Sequence, residues 1–208
     1  MTAPARTTWF DLLRHGEPDG GPKYRGHRDD ALSPLGWRQM RAAVGEADQW
    51  DHILTSPLLR CRAFAEGLAA ERGLPCTVVE GFKEISFGAW EGLTTEQVAE
   101  RFGDGQARFW SDPERHAPQG GEPILDFYRR IGAAWTHWRD ALAGQRVLLV
   151  CHGGVIRMTL AHVMGLPPGR ALGAFLVPYA SRSRVRLDVT EQGLLGCLVS
   201  HGAVEAGP

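Results

Sequence analysis

Arg146-Val147-Leu148-Leu149-Val150-Cys151-His152-Gly153-Gly154 decides the fold class. Its continuous apolar run has the character of a strand buried on both faces. Gly153-Gly154 leads directly into a helix, Val155 to Met164, which Gly165 and Pro167 end. A doubly buried strand running into a helix belongs to a parallel sheet covered by helices. Ligands of such sheets bind beyond the carboxyl ends of the strands. His152 stands at one such end.

The same pattern repeats on either side of this stretch. Trp9 to Leu13 is predicted as a short strand, followed by Arg14-His15-Gly16-Glu17. Ser33 and Pro34 mark an N-cap and first turn for a helix, Leu35 to Ala47. A strand near His52 to Thr55 runs into Ser56-Pro57, a second cap-and-proline start, which opens the helix Leu58 to Arg72. Thr77 to Val79 is a further strand. Residues 86–122 are expected to be irregular, with a short helix after the capping box Thr94 to Gln97. Ile124, Phe127, Ile131, Ala134, Trp138 and Leu142 recur at helical spacing and predict the longest helix. Two final strands, Arg184 to Val189 and Leu194 to Ser200, flank a turn at Gln192-Gly193. The expectation is a three-layer α/β/α sandwich with a mainly parallel sheet. Residues 1–208 would form one domain with a cap-like insertion at about 86–122, where Trp90 and Trp110 could contact the organic part of a ligand or simply pack.

Composition narrows the function classes. The chain has 208 residues, enough for a substantial core without disulfides or metal. A net charge of −1 provides no global field toward nucleic acid or an anionic membrane, so anion specificity must come from a local cluster. No stretch approaches the ~20 apolar residues of a membrane span. Residues 1–8 lack an apolar run of signal length, which points to a cytoplasmic protein. The four cysteines, Cys61, Cys76, Cys151 and Cys197, form no Cys-x-x-Cys pair, and His52, His116, His137, His162 and His201 show no metal-ligand spacing. No metal or other cofactor is expected.

The strand ends carry the chemistry. Arg14 and His15 follow the first strand, Ser56 and Arg60 the second, Lys83 and Glu84 the third, and His152 and Gly153 the fourth. A parallel sheet would gather them on one rim. Arginine forks match phosphate oxygens, and two of them offset the charge of a transferring phosphoryl group. Helix starts after Ser56 and at Gly153 add N–H donors. A neutral imidazole, with an unperturbed pKa of ~6.5, is a competent nucleophile near neutrality, and a phosphohistidine divides one difficult displacement into two. Glu84 is the candidate proton donor and, afterwards, the base for water. Taken singly, each of these residues has a structural explanation; together on one rim they indicate phosphoryl transfer.

Five motifs in order resemble those of the histidine phosphatase, or phosphoglycerate mutase-like, superfamily. They are Arg14 to Glu17, Thr55 to Cys61, Glu84 to Gly92, Pro118 to Glu122, and His152 to Gly154. The resemblance covers nearly the whole chain. It implies the phosphoglycerate mutase-like α/β/α fold, His15 as nucleophile, and Arg14, Arg60 and His152 around the phosphoryl group. It also implies Glu84 as proton donor, no metal, and a small-molecule phosphate ester as partner. Within the superfamily, Phe87 to Glu91 and the stretch Tyr24 to Gly36 resemble the α-ribazole phosphatase branch, whose members act in assembling the cobalamin lower ligand. Ile85-Ser86-Phe87-Gly88 stands where true mutases typically carry Arg-His-Tyr-Gly, which argues against the alternative, a mutase-type phosphotransferase. Many members have an asparagine soon after the first motif; Asp19-Gly20-Gly21-Pro22 offers none. Arg25, with Gly26, or backbone N–H groups are the candidate substitutes for substrate binding.

One rival remains in the sequence. Cys151 and Arg157 fit Cys-x-x-Gly-x-x-Arg, the loop of the cysteine phosphatases. It would leave Arg14, His15, Arg60 and Glu84 without a role, and Val155 and Ile156 continue an apolar helix face. Oligomeric state is open at this level, a homodimer being one option.

Overall fold

A computed structural model describes residues 7–191 and 193–203. Six strands form one sheet: β1 (Thr7–Arg14), β2 (His52–Thr55), β3 (Cys76–Val78), β4 (Arg146–Cys151), β5 (Arg182–Thr190) and β6 (Gly193–Ala203). Their order is β3-β2-β4-β1-β5-β6. The first four are mutually parallel, whereas β5 runs antiparallel to β1 and β6 antiparallel to β5. The sheet is therefore mixed, its four parallel strands being those that carry the predicted motifs. Residues 1–6, most of the stretch expected to carry no targeting signal, lie outside the described residues, as does Gln192 of the expected final turn. Among the described residues no helix is long and apolar enough to cross a membrane.

β4 alternates its faces as a central strand must. Leu148 and Val150 enter one core with Leu13, Ile53, Met40 and Phe64, under helices α1 (Pro34–Ala42) and α2 (Leu59–Arg72). Val147, Leu149 and Cys151 enter the other core with Phe10, Phe127, Trp135 and Val155. That face is covered by α5 (Ile124–Ala141) and α6 (Gly153–Met164), with α3 (Thr95–Phe102), α4 (Gly105–Ser111) and α7 (Pro168–Ala174) beyond them. Trp135, 2% exposed, packs edge-on against Phe10 at 4.6 Å and is the buried tryptophan of α5, while Trp138 is only partly covered.

Several expected boundaries move for local reasons. The helix α1 has the predicted Ser33 cap, whose hydroxyl accepts the Gly36 N–H at 2.9 Å. It stops at Ala42 rather than Ala47, because the chain turns at Gly45, whose N–H goes to the Asp48 carboxylate and whose carbonyl accepts from Arg72. Thr94 and Gln97 form the predicted capping box of α3. Residues 86–122 are more regular than expected, since α4 follows α3 across Gly103; Phe109 of α4 is buried against Trp90 and Phe87. α7, absent from the sequence reading, begins at Pro168 after the cap residue Pro167.

Candidate active site

Strand register brings the two histidines together. Arg14 of β1 pairs with Cys151 of β4, and the His15 N–H donates to the Cys151 carbonyl at 2.9 Å. The next residues on both strands therefore emerge side by side, and the rings of His15 and His152 lie 5.2 Å apart between centroids at 64°. Neighbouring β2 ends level with them, its Ser56 N–H donating to the Val150 carbonyl at 3.0 Å. Close backbone approach holds the first loop: a Cβ on Gly16 would lie 2.3 Å from the Gly36 carbonyl oxygen.

His15 is buried, and its Nδ1 is 2.7 Å from the Gly16 carbonyl. A carbonyl only accepts, so Nδ1 carries the hydrogen and the neutral ring has its lone pair on Nε2. Burial holds the His15 pKa well below the ordinary imidazole value, reinforced by the charges of Arg60 and Arg14. His152, completely buried, is shifted the same way by burial, then by Arg60, His15 and Arg14. Its Nε2 meets the Ser56 hydroxyl at 2.6 Å. The Cys61 sulfur, bonded to the Cys151 carbonyl, lies against the ring.

Ser56 was expected to cap α2. Instead the α2 cap residue is Leu58, without a side-chain bond of its own, and Asp29 from a distant loop accepts the Leu59 N–H at 2.6 Å. The Ser56 hydroxyl is thereby available to His152, while also accepting the Leu58 N–H at 3.3 Å.

Two guanidinium groups flank the ring pair. Arg60, 1% exposed, donates through Nη1 to the Arg28 carbonyl and through Nη2 to the Gly26 carbonyl. Arg14 donates through Nη1 to the Val177 carbonyl, and its guanidinium stacks 4.2 Å over Tyr179. Among the described residues, the buried side-chain nitrogens without a partner are Arg14 Nε and Arg60 Nε. Such N–H groups left bare cost about 1–3 kcal/mol each, so they identify a place built for an anion.

Glu84 completes the group. Its Oε2 accepts the Gly154 N–H at 3.1 Å, at the start of α6, and its Oε1 accepts the Ile85 N–H at 3.0 Å. Gly153 opens the same helix, beside Arg14 Nε. The segment carrying Glu84 is clamped by Arg130, which donates to the carbonyls of Gly81 and Lys83 and forms a two-point pair with Glu122. His27 Nε2 meets the Glu84 carbonyl at 2.8 Å from the other side.

The structure thus brings His15, His152, Arg14, Arg60, Gly153 and Glu84 to one rim. Arg25 lies at its edge, with Nη2 donating to the carbonyls of Asp19 and Gly21 and Nε to the Asp30 carboxylate. Gly26 contributes its carbonyl to Arg60. Cys151 of the rival motif is buried among apolar side chains, and burial drives its thiol pKa well above the ordinary value. A thiolate nucleophile is disfavoured there. Sequence reasoning did not place Tyr179 or Ala180 at the site. Only the antiparallel return of β5 along β1 brings them there, with the Ala180 N–H on the His15 carbonyl at 3.1 Å. Nor did it find Arg130 or the Ser56–His152 contact, for which the linear sequence holds no signal.

The sequence profile of the histidine phosphatase superfamily (branch 1) matches residues 10–203. The glucosyl-3-phosphoglycerate phosphatase of Mycolicibacterium vanbaalenii is 32% identical over 167 residues, spanning 75% of this chain and 74% of that one. A solved mycobacterial glucosyl-3-phosphoglycerate phosphatase, in complex with VO3, superposes with a TM-score of 0.81 at 27% identity, over 96% of this chain and 100% of that chain. The α-ribazole phosphatase from Shigella flexneri superposes with a TM-score of 0.81 over 94% and 96% of the two chains. At 22% identity it shows the shared fold alone. This chain belongs to the histidine phosphatase superfamily, and it is a hydrolase of that type acting on a small phosphate ester.

Proposed function

We propose that the hydrolysis proceeds through a phosphohistidine on His15. The observation that carries the reading is the Nδ1–H bond from His15 to Gly16, which leaves Nε2 as the basic nitrogen of a ring that burial and two arginines keep neutral. In the first step the Nε2 lone pair forms a bond to phosphorus as the ester P–O bond breaks, and protonated Glu84 passes its hydrogen to the departing alkoxide. In the second, the Glu84 carboxylate takes a proton from water, the water oxygen bonds phosphorus, and the P–N bond returns its electrons to Nε2. Arg14, Arg60, Gly153 and His152 bind the phosphoryl oxygens, the two arginines through their bare Nε–H groups. Ser56 engages His152 Nε2 and holds the ring in place. Arg25, already anchored to Asp30, would reach substrate through Nη1, with Gly26 shaping the adjoining turn.

Residues 86–122 are proposed as a cap on this single domain. Tyr24 links them to the site loop, its hydroxyl receiving the Gln106 and Trp110 side-chain N–H groups at 2.9 and 3.0 Å. Four free cysteines favour a reducing, cytoplasmic setting. For the substrate, the 32% identity to a glucosyl-3-phosphoglycerate phosphatase favours a phosphoglycerate ester such as glucosyl-3-phosphoglycerate. α-Ribazole 5′-phosphate is the second reading, favoured by the compact Phe87 to Glu91 segment.

The test is a trapping experiment joined to a phosphate-release screen. A panel containing both esters is assayed with EDTA present, and the phosphoenzyme is quenched and probed for acid lability and alkali stability. His15→Ala is expected to lose both label and turnover, and Cys151→Ser to keep them. The reverse pattern would overturn the assignment. Phosphate exchange between product molecules, instead of release to water, would favour a mutase.

A further inference from the structure

We infer that Arg157 is a specificity-determining residue that binds a second anionic group of the substrate, a carboxylate separated from the phosphorylated carbon by one further carbon. The inference rests on the phosphohistidine reading of the same site.

Arg157 lies one helical turn after Gly153, on the inner side of α6. Its Nε donates to the Phe175 carbonyl at 3.1 Å, while Arg14 donates to the Val177 carbonyl of the same loop. A Cβ added to Gly153 would stand 3.1 Å from Arg157 Nη1 and 3.5 Å from Arg14 Nε. The two guanidinium groups therefore share the bare face of Gly153, and the glycine is what admits them both. Glu84 lies close enough for its charge to act on Arg157. Yet Arg157 forms no ion pair, and its Nη1 and Nη2 bond no group among the described residues. It is partly exposed and held by one anchor, with its fork directed at the phosphoryl site's margin.

Charge balance points the same way. Arg25 pairs with Asp30, a carboxylate it shares with Arg28. Arg14, Arg60 and Arg157 form no ion pair among the described residues, Glu84 being the acidic group whose charge reaches Arg14 and Arg157, and burial holds the pKa of both histidines low. The mechanism proposed above requires Glu84 to enter as the acid, uncharged. A phosphate dianion then offsets two of the three guanidinium charges and leaves one. Since Arg14 and Arg60 are the buried pair with bare Nε–H groups, the surplus falls on Arg157. A planar carboxylate suits its fork. An ester such as α-ribazole 5′-phosphate, which has no carboxylate, leaves it unmatched.

The test compares 3-phosphoglycerate with glycerol 3-phosphate, two esters that differ only in the carboxylate, as competitors of p-nitrophenyl phosphate hydrolysis. The readout is the ratio of their competition constants within each protein, so that a general loss of activity cancels. The wild-type chain is expected to prefer 3-phosphoglycerate by about tenfold to a hundredfold, the size of one charged hydrogen bond. Arg157→Met should bring the ratio near one, and Arg157→Lys, which keeps the charge without the fork or the Nε anchor, should retain part of it. A wild-type ratio near one, or a preference that survives in Arg157→Met, overturns the inference while leaving phosphohistidine chemistry intact. His15→Ala that still hydrolyses p-nitrophenyl phosphate would overturn the underlying reading instead.

Discussion

Adding one methyl group at Gly154 should disable the proton donor and spare the nucleophile. An alanine Cβ there would stand 2.3 Å from Glu84 Oε1 and 3.2 Å from its carboxyl carbon. To reach an ordinary carbon–oxygen contact of ~3.3 Å, the carboxylate must withdraw by about 1 Å, stretching its bond from the Gly154 N–H. Misplacement on that scale costs about a hundredfold, within the ~10²–10⁴ that a general acid supplies. The barrier rises by about 2.7 kcal/mol. The backbone tolerates the change, because alanine is favoured over glycine in a helix by ~1 kcal/mol. Phe127, whose ring edge would lie 3.2 Å away, needs to yield only slightly. The assay is rapid-quench measurement of enzyme phosphorylation, which isolates the first step. An alkyl phosphate, whose alkoxide needs the proton, should slow by about a hundredfold in Gly154→Ala. p-Nitrophenyl phosphate, whose phenolate leaves unaided, should slow by less than about tenfold. Equal slowing of the two esters, or no slowing of the alkyl ester, would refute Glu84 as the acid placed by the start of α6.

Three other outcomes are expected. Ser56→Ala removes the 2.6 Å partner of a fully buried imidazole, and kcat/KM should fall by about tenfold to a hundredfold, the cost of a bared buried group; steady-state kinetics checks it. Asp29→Ala uncaps α2 from a distance and should lower the free energy of unfolding by about 0.5–2 kcal/mol in urea titration. His15 and His152 have depressed pKa values in the folded chain, so below the unfolded value of ~6.5 the unfolded chain binds more protons and stability is lost as the pH is lowered. Each ring contributes up to about 1.4 kcal/mol per pH unit. Urea unfolding at pH 7.5 and 5.5 should show that loss, reduced in His15→Gln.

Where an argument needed only neighbours in the chain, the sequence was sufficient. The apolar run Val147 to Val150 announced a buried strand, because a strand covered on both faces takes hydrophobic side chains at consecutive positions. Ser33-Pro34 and the Thr94 to Gln97 box announced helix starts through bonds that span three residues. The convergence of strand ends on one rim followed from parallel strands, and the order of motifs along the chain indicated the superfamily. Boundaries governed by distant groups were beyond its reach. Ser56 looked like a cap for α2, yet Asp29 supplies that bond from another loop and Ser56 turns to His152.

What residue types and short spacings determine, the sequence determined by itself: an α/β sandwich and the ordered superfamily motifs at its strand ends. The tertiary structure alone decided which neighbours those residues meet. The register of β1 on β4 pairs the two imidazoles, the antiparallel return of β5 brings Tyr179 and Ala180 to the rim, and the bare face of Gly153 sets Arg157 beside Arg14. The reason is physical. Strand pairing and close backbone approach act between segments far apart in the chain, and burial, which sets the ionisation of both histidines, is a property of the assembled core.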